Sequence, residues 1–163
     1  MKRYLLIGLL ALLLTGCSEP KSFETMSDVY YEPDRAAATI SVALPEEAAV
    51  SVMEHPTAGS IYLCDGYCVT VQTLPAGDLD ATLREVTGFE RENLTVMERT
   101  EGNERRYECV WAAAGEGGEQ VGRAVVLDDG NYHYALTVMA DAEEAGDMTT
   151  TWQQIVDSFS TAP

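Results

Sequence analysis

Two histidines and four cysteines are the side chains in this 163-residue sequence best suited to proton transfer, nucleophilic attack or metal binding. His55 precedes Pro56 in an expected loop, and His133 lies between Tyr132 and Tyr134 in an expected strand. Alternation along a strand points His133 away from the face that the two tyrosines share. Neither histidine stands in HExxH, the spacing that puts two zinc ligands and a general base on one helix face. Both are expected to be ordinary surface or half-buried side chains. Asp128-Asp129, and Asp78 with Asp80, are spaced like pieces of a calcium loop. Neither continues into the alternating acids and terminal glutamate that hold the ion, and turn and cap chemistry account for both. The run GEGGEQVG, residues 115–122, lacks GxGxxG spacing and the Walker lysine. It sits between expected strands, so it cannot aim helix-end amides at a phosphate. There is no GxSxG elbow to expose a nucleophilic serine. No catalytic residue, metal ligand or cofactor is assigned.

The first of the four cysteines, Cys17, has a different setting. Lys2 and Arg3 are followed by an apolar stretch from Tyr4 to Leu14, then Thr15, Gly16 and Cys17. The stretch is shorter than the roughly 20 residues that a spanning helix needs. A positive start, a short apolar core and small residues at its end make a secretory signal. Leu14-Thr15-Gly16-Cys17 resembles the lipobox of bacterial lipoproteins, which implies a signal peptide over 1–16, cleavage before Cys17 and lipid on its sulfur. An ordinary signal cut near a cysteine is the alternative. Residues 17–37 are polar with two prolines and are expected to tether the domain to the extracytoplasmic face of the cell membrane.

Lipidation of Cys17 would leave Cys64, Cys68 and Cys109, an odd number for an exported protein. If Ile61 and Leu63 share the core face with Val69 and Val71, Cys64 lies directly across from Cys68, and opposed cysteines can approach disulfide distance. That register needs the loop Asp65-Gly66-Tyr67, which would prefer glycine in the third place. A two-residue turn would oppose Cys64 to Tyr67 and put Cys68 on the other face. A Cys64–Cys68 disulfide is therefore one expectation, with Cys109 as a competing partner and three free thiols as another outcome.

The elements that must position these residues follow from periodicity. Strands are expected at 38–44, on both sides of Asp65-Gly66 within 60–74, and at 93–100 and 105–114. The clearest hairpin is 119–140, where Val121, Val125 and Leu127 precede Asp129-Gly130 and Tyr132, Tyr134, Leu136 and Val138 follow it. A helix is expected over 78–88, capped by Asp78 and stopped by Gly88. A second, over 147–159, places Met148, Trp152, Ile155 and Phe159 on one face. Strands with two helices make a single α+β domain over 38–160, an antiparallel sheet with helices packed on it.

Composition narrows the partners. With 27 acidic against 10 basic residues, the chain carries a formal net charge of −17. Such a surface repels phosphate backbones, so nucleic acid is excluded as a partner. The acids are scattered rather than gathered as ligands, which fits a solvated surface. The hairpin VVLDDGNYHYALTV, an acidic loop and a closing helix with Trp152 and Phe159 together resemble the PsbP-like and DcrB-like α/β/α sandwich group. The resemblance implies an accessory or binding protein of membrane-associated assemblies and carries over no functional residue. The expected function is a lipid-anchored, non-catalytic binding or accessory module of the cell envelope, with a protein or small ligand as partner. The competing class is an envelope hydrolase or metal-dependent enzyme with an unrecognised site.

Overall fold

The computed structural model describes residues 33–50, 59–115 and 118–162. Cys17, His55, the signal segment and most of the tether lie outside them. The strands are β1 (Thr39–Ser41), β2 (Ala49–Val50), β3 (Gly59–Leu63), β4 (Tyr67–Pro75), β5 (Thr95–Glu101), β6 (Glu104–Gly115), β7 (Gly118–Asp128), β8 (Tyr132–Asp141) and β9 (Ser160–Ala162). The helices are α1 (Leu79–Thr87), α2 (Ala142–Ala145) and α3 (Thr149–Ser158). Seven strands form one antiparallel sheet in the order β2-β3-β4-β8-β7-β6-β5, and β1 pairs separately with β9.

Strand β8 is central, and its alternation sorts the core into two halves. Tyr134, Leu136, Val138 and Ala140 join Val69, Val71, Val125 and Leu127 beneath Trp152, Ile155 and Val156 of α3. Ala135 faces the other way, with Ala124, Val126, Tyr107 and Cys109, against Leu83 of α1. One helix thus closes each face of the sheet, giving the expected α+β layers. The Asp78 carboxylate caps α1 by accepting from the Asp80 N–H at 3.0 Å. Gly88, at φ 78°, ends the helix by donating to the Arg84 carbonyl. The expected acidic loop before the closing helix is instead α2 followed by a 3-10 turn over Gly146–Met148.

The first hairpin departs from the register that opposes Cys64 to Cys68. Leu63 pairs with Cys68, Tyr62 with Val69 and Ile61 with Thr70. The Cys64 N–H donates to the Tyr67 carbonyl across a two-residue turn, with Gly66 at φ 76°. Turn chemistry decided the matter, because glycine occupies the left-handed position and tyrosine avoids it. Tyr62 and Cys64 therefore pack with the core under α3, while Leu63 ends 52% exposed.

The chain enters at the β7–β8 turn. Arg35 pairs with Asp129 at 2.6 Å, and the Tyr134 hydroxyl accepts from the Ala38 N–H at 2.9 Å. The stretch expected as tether is thus held to the body from Asp34 onward, whose N–H donates to Asn131 Oδ1. No helix among the described residues is long and apolar enough to cross a membrane.

Candidate functional site

Helix α3 does not cover the whole of its face. The core beneath it draws side chains from β4, β7 and β8 and none from β5 or β6. On the uncovered part, Val110 is 57% exposed and Met97 is 59% exposed. Two adjoining hollows lie there. The apolar one, about 660 Å³, runs between Val110, Ala112 and Val121 of the sheet and Ala145, Thr149 and Trp152. The polar one, about 600 Å³, is lined by Met97, Glu98, Arg99, Glu108, Arg123, Gln153 and Asp157. Arg123 belongs to both, so they form one groove with an apolar end and a charged end.

The charged end is organised by Glu108, whose side chain is 5% exposed. Its Oε1 accepts from Arg106 Nε at 2.9 Å and from Arg99 Nη2. Its Oε2 accepts from Arg123 Nη2 at 2.9 Å. Burial alone would raise this carboxyl, but the guanidiniums of Arg106, Arg123 and Arg99 override it and hold the group at about 2. Arg106 also donates to the Val156 carbonyl at 2.7 Å and the Phe159 carbonyl at 3.2 Å, which satisfies the C-terminal end of α3. Arg123 reaches Gln153 Oε1 at 2.7 Å. One carboxylate thus ties β5, β6, β7 and α3 together at the groove floor.

The residues singled out from the sequence do not converge there. His133 points away from the tyrosine face as alternation requires, but it is 1% exposed, more deeply buried than expected. Its Nδ1 is hydrogen-bonded to Thr82 Oγ1 of α1 at 2.7 Å, and its Nε2 is 3.9 Å from Asp128 Oδ1. Hydroxyl, imidazole and carboxylate are adjacent, yet Thr82 is 6% exposed on the inner face of α1 and cannot reach a substrate. Desolvation lowers the His133 pKa, and Asp128 opposes the shift. This is a packing contact between α1 and the sheet.

Asp128 and Asp129 each spend Oδ1 on the β7–β8 turn and Oδ2 on an arginine, Arg105 and Arg35 respectively. Asp129 Oδ1 accepts from the Asn131 and Tyr132 N–H groups at 2.8 Å each, and Asp128 Oδ1 accepts from the Gly130 N–H at 2.8 Å. Within GEGGEQVG, Gly122 faces the Trp111 indole so closely that a Cβ there would stand 2.2 Å from the ring. Packing explains that glycine.

Cys64, Cys68 and Cys109 are free thiols. Cys64 packs with the α3 core, Cys68 lines a hollow beside Glu85 and Val86 of α1, and Cys109 is 2% exposed. Burial raises all three above the usual thiol range, Cys109 to about 11, so little thiolate exists at neutral pH. Among the described residues no three His, Cys, Asp or Glu side chains gather as a metal site. From the sequence, the contact surface is expected on the sheet face left uncovered or on the loop near 141–147, with no residue named; the groove takes in both, through Val110 and Ala145. Its signal was Arg106 and Glu108, two charges two residues apart and flanked by Tyr107 and Cys109, which alternation puts on one face of a strand.

No protein-family model and no curated protein matches the chain. Solved structures do. LpqN, involved in cell envelope biogenesis of Mycobacterium tuberculosis, aligns at TM-score 0.51 and 15% identity, over 80% of this chain and 87% of its own. The cyanobacterial PsbP protein CyanoP from Synechocystis aligns at TM-score 0.58 and 11% identity, over 76% of this chain and 86% of its own. At that identity the likeness speaks for architecture, and the chain has the PsbP-like fold in a single domain.

Proposed function

We propose that this protein is an extracytoplasmic lipoprotein, processed before Cys17 and held to the cell membrane by lipid on that residue. Residues 1–16 are its signal peptide and residues 17–37 its tether; the domain over 38–160 works as a non-catalytic binding or accessory module of the cell envelope. The observation that carries the reading is the groove beside α3, an apolar trough ending in paired arginines and carboxylates, which offers a contact surface and, among the described residues, is lined by no histidine or cysteine. The envelope role in LpqN's description, on the same fold, supports the cellular setting by analogy. The partner is a protein or small ligand of the envelope.

The test is crosslinking in intact cells followed by mass spectrometry of what co-purifies. A reproducible envelope partner, lost when Val110→Asp puts a charge into the trough, is the expected result. Turnover of an ester, peptide or phosphate substrate by the purified protein, abolished by one substitution, would overturn the reading. Cys17→Ala should abolish palmitate labelling and membrane retention; unchanged labelling would refute the anchor.

A further inference from the structure

On the face of the sheet that carries α1, a hollow of about 220 Å³ lies between the end of that helix and strands β4, β8 and β6. Two sulfurs meet there. Cys68 of β4 and Met139 of β8 are direct cross-strand partners, and both line the hollow. Their neighbours Val69 and Val138 pack under α3, so alternation sends Cys68 and Met139 to the α1 side. Opposed residues on one face have Cβ atoms about 4.5–5.5 Å apart, which lets a thiol and a flexible thioether reach one ion. Helix α1 ends at Thr87 without sealing the pair: Met139 is 37% exposed and Cys68 is half-buried.

Trp111 makes another wall of the hollow. Its indole lies against Gly122, and Gly122 is the next cross-strand partner of Met139. Because position 122 carries no side chain, the ring extends along this row and flanks the hollow. Phe89 packs on the indole with centroids 6.4 Å apart, which fixes the ring from the helix side. Glu85 of α1 is exposed and brings a negative charge to the lining.

We infer that Cys68 and Met139 bind a soft monovalent metal ion, Cu(I), beside the indole of Trp111. Thiolate and thioether are the donors that select Cu(I), whereas Ca²⁺ and Mg²⁺ take oxygen. A structural Zn²⁺ needs a full tetrahedron, and among the described residues no three His, Cys, Asp or Glu side chains gather. Charge gives the same answer. On binding, the Cys68 S–H proton leaves to solvent and an S–Cu bond forms, with no change of oxidation state. The thiolate cancels the charge of a monovalent ion, so the pair sits neutral beside Val86 and Trp111. A divalent ion on the same thiolate would leave a positive charge against those apolar walls. The thioether adds a neutral donor, the indole face attracts the cation, and Glu85 draws cations towards the opening.

For the test, Cu(I) is titrated anaerobically into the full-length protein in detergent, with bicinchoninate as the competing chelator. The expected result is an ion whose copper K-edge absorption shows a sulfur shell. Cys68→Ser should abolish its binding, and Met139→Leu should weaken it about tenfold or more. Leucine keeps the volume of methionine at a partly exposed position, so a thermal melt should find that variant as stable as the parent. Cys17→Ala, Cys64→Ser and Cys109→Ser should each keep the ion. Because a proton is displaced, affinity should also fall as the pH is lowered from about 8 to about 6. No binding, an ion retained by Cys68→Ser, or equal affinity in Met139→Leu would overturn the inference. So would a shell of nitrogen or oxygen, or displacement of Cu(I) by an equal concentration of Zn²⁺. Loss of the ion in Cys64→Ser or Cys109→Ser, with Cys68→Ser unaffected, would move the site to another thiol and overturn it as well.

Discussion

Glu108 and His133 are both buried and ionisable, and they should destabilise the protein in separate pH windows. Glu108 falls from 4.5 to about 2 in the folded state. Its contribution is therefore complete above pH 4.5 and disappears as pH falls towards 2. Glu108→Gln leaves three guanidiniums without their carboxylate and should cost about 3 kcal/mol at pH 7. Urea denaturation at pH 7 and pH 3 checks it, since the variant should lose far less between the two than the parent. His133 is lowered from 6.5 by burial. The unfolded chain then takes up a proton first, so stability declines as pH drops through 6.5. His133→Gln, which can keep the Thr82 contact, should flatten that upper window and leave the lower one unchanged. An unchanged slope between pH 7 and 5 would show that another group sets it.

At the scale of elements, turns and periods were legible and the layer contacts were not. Asp78 and Gly88 bounded α1, and alternation around Asp129-Gly130 gave the β7–β8 hairpin, because these are local preferences that the tertiary fold reinforced. The first hairpin had two registers open, and glycine's claim to the left-handed turn position outweighed apolar matching in choosing between them, since one residue reverses every face. The β1–β9 pair was invisible, since three-residue strands more than a hundred residues apart have no period to detect. The groove was half legible: an uncovered sheet face follows from two helices on a wide sheet, but the Glu108 hub needs three strands in register. Register also puts Trp111 directly opposite Gly122. Gly122→Ala should then cost about 2 kcal/mol by overpacking, read as a lowered melting temperature. Combining it with Trp111→Ala should recover most of that loss, because the clash disappears with the ring.

For the whole molecule, a charge of −17 on a chain of 163 residues means self-repulsion, while the paired arginines are few. Raising salt from about 0.01 M to about 0.5 M shortens the screening length from roughly 30 Å to a few Å, and the melting temperature should rise. A fall would mean that the ion pairs outweigh the repulsion. The β1–β9 pair reaches further still. Ser41 lies against Ser160 and Thr39 against Ala162, so an early strand must wait for one made more than a hundred residues later. While the ribosome is still working, β1 has no partner, and α3, whose residues complete the larger core, has not yet been made. The β1–β9 pair and the α3 side of the larger core therefore close only after synthesis has passed Ala162. For the exported chain proposed above, that order of manufacture would keep both closures unmade while the chain is threaded through a membrane pore.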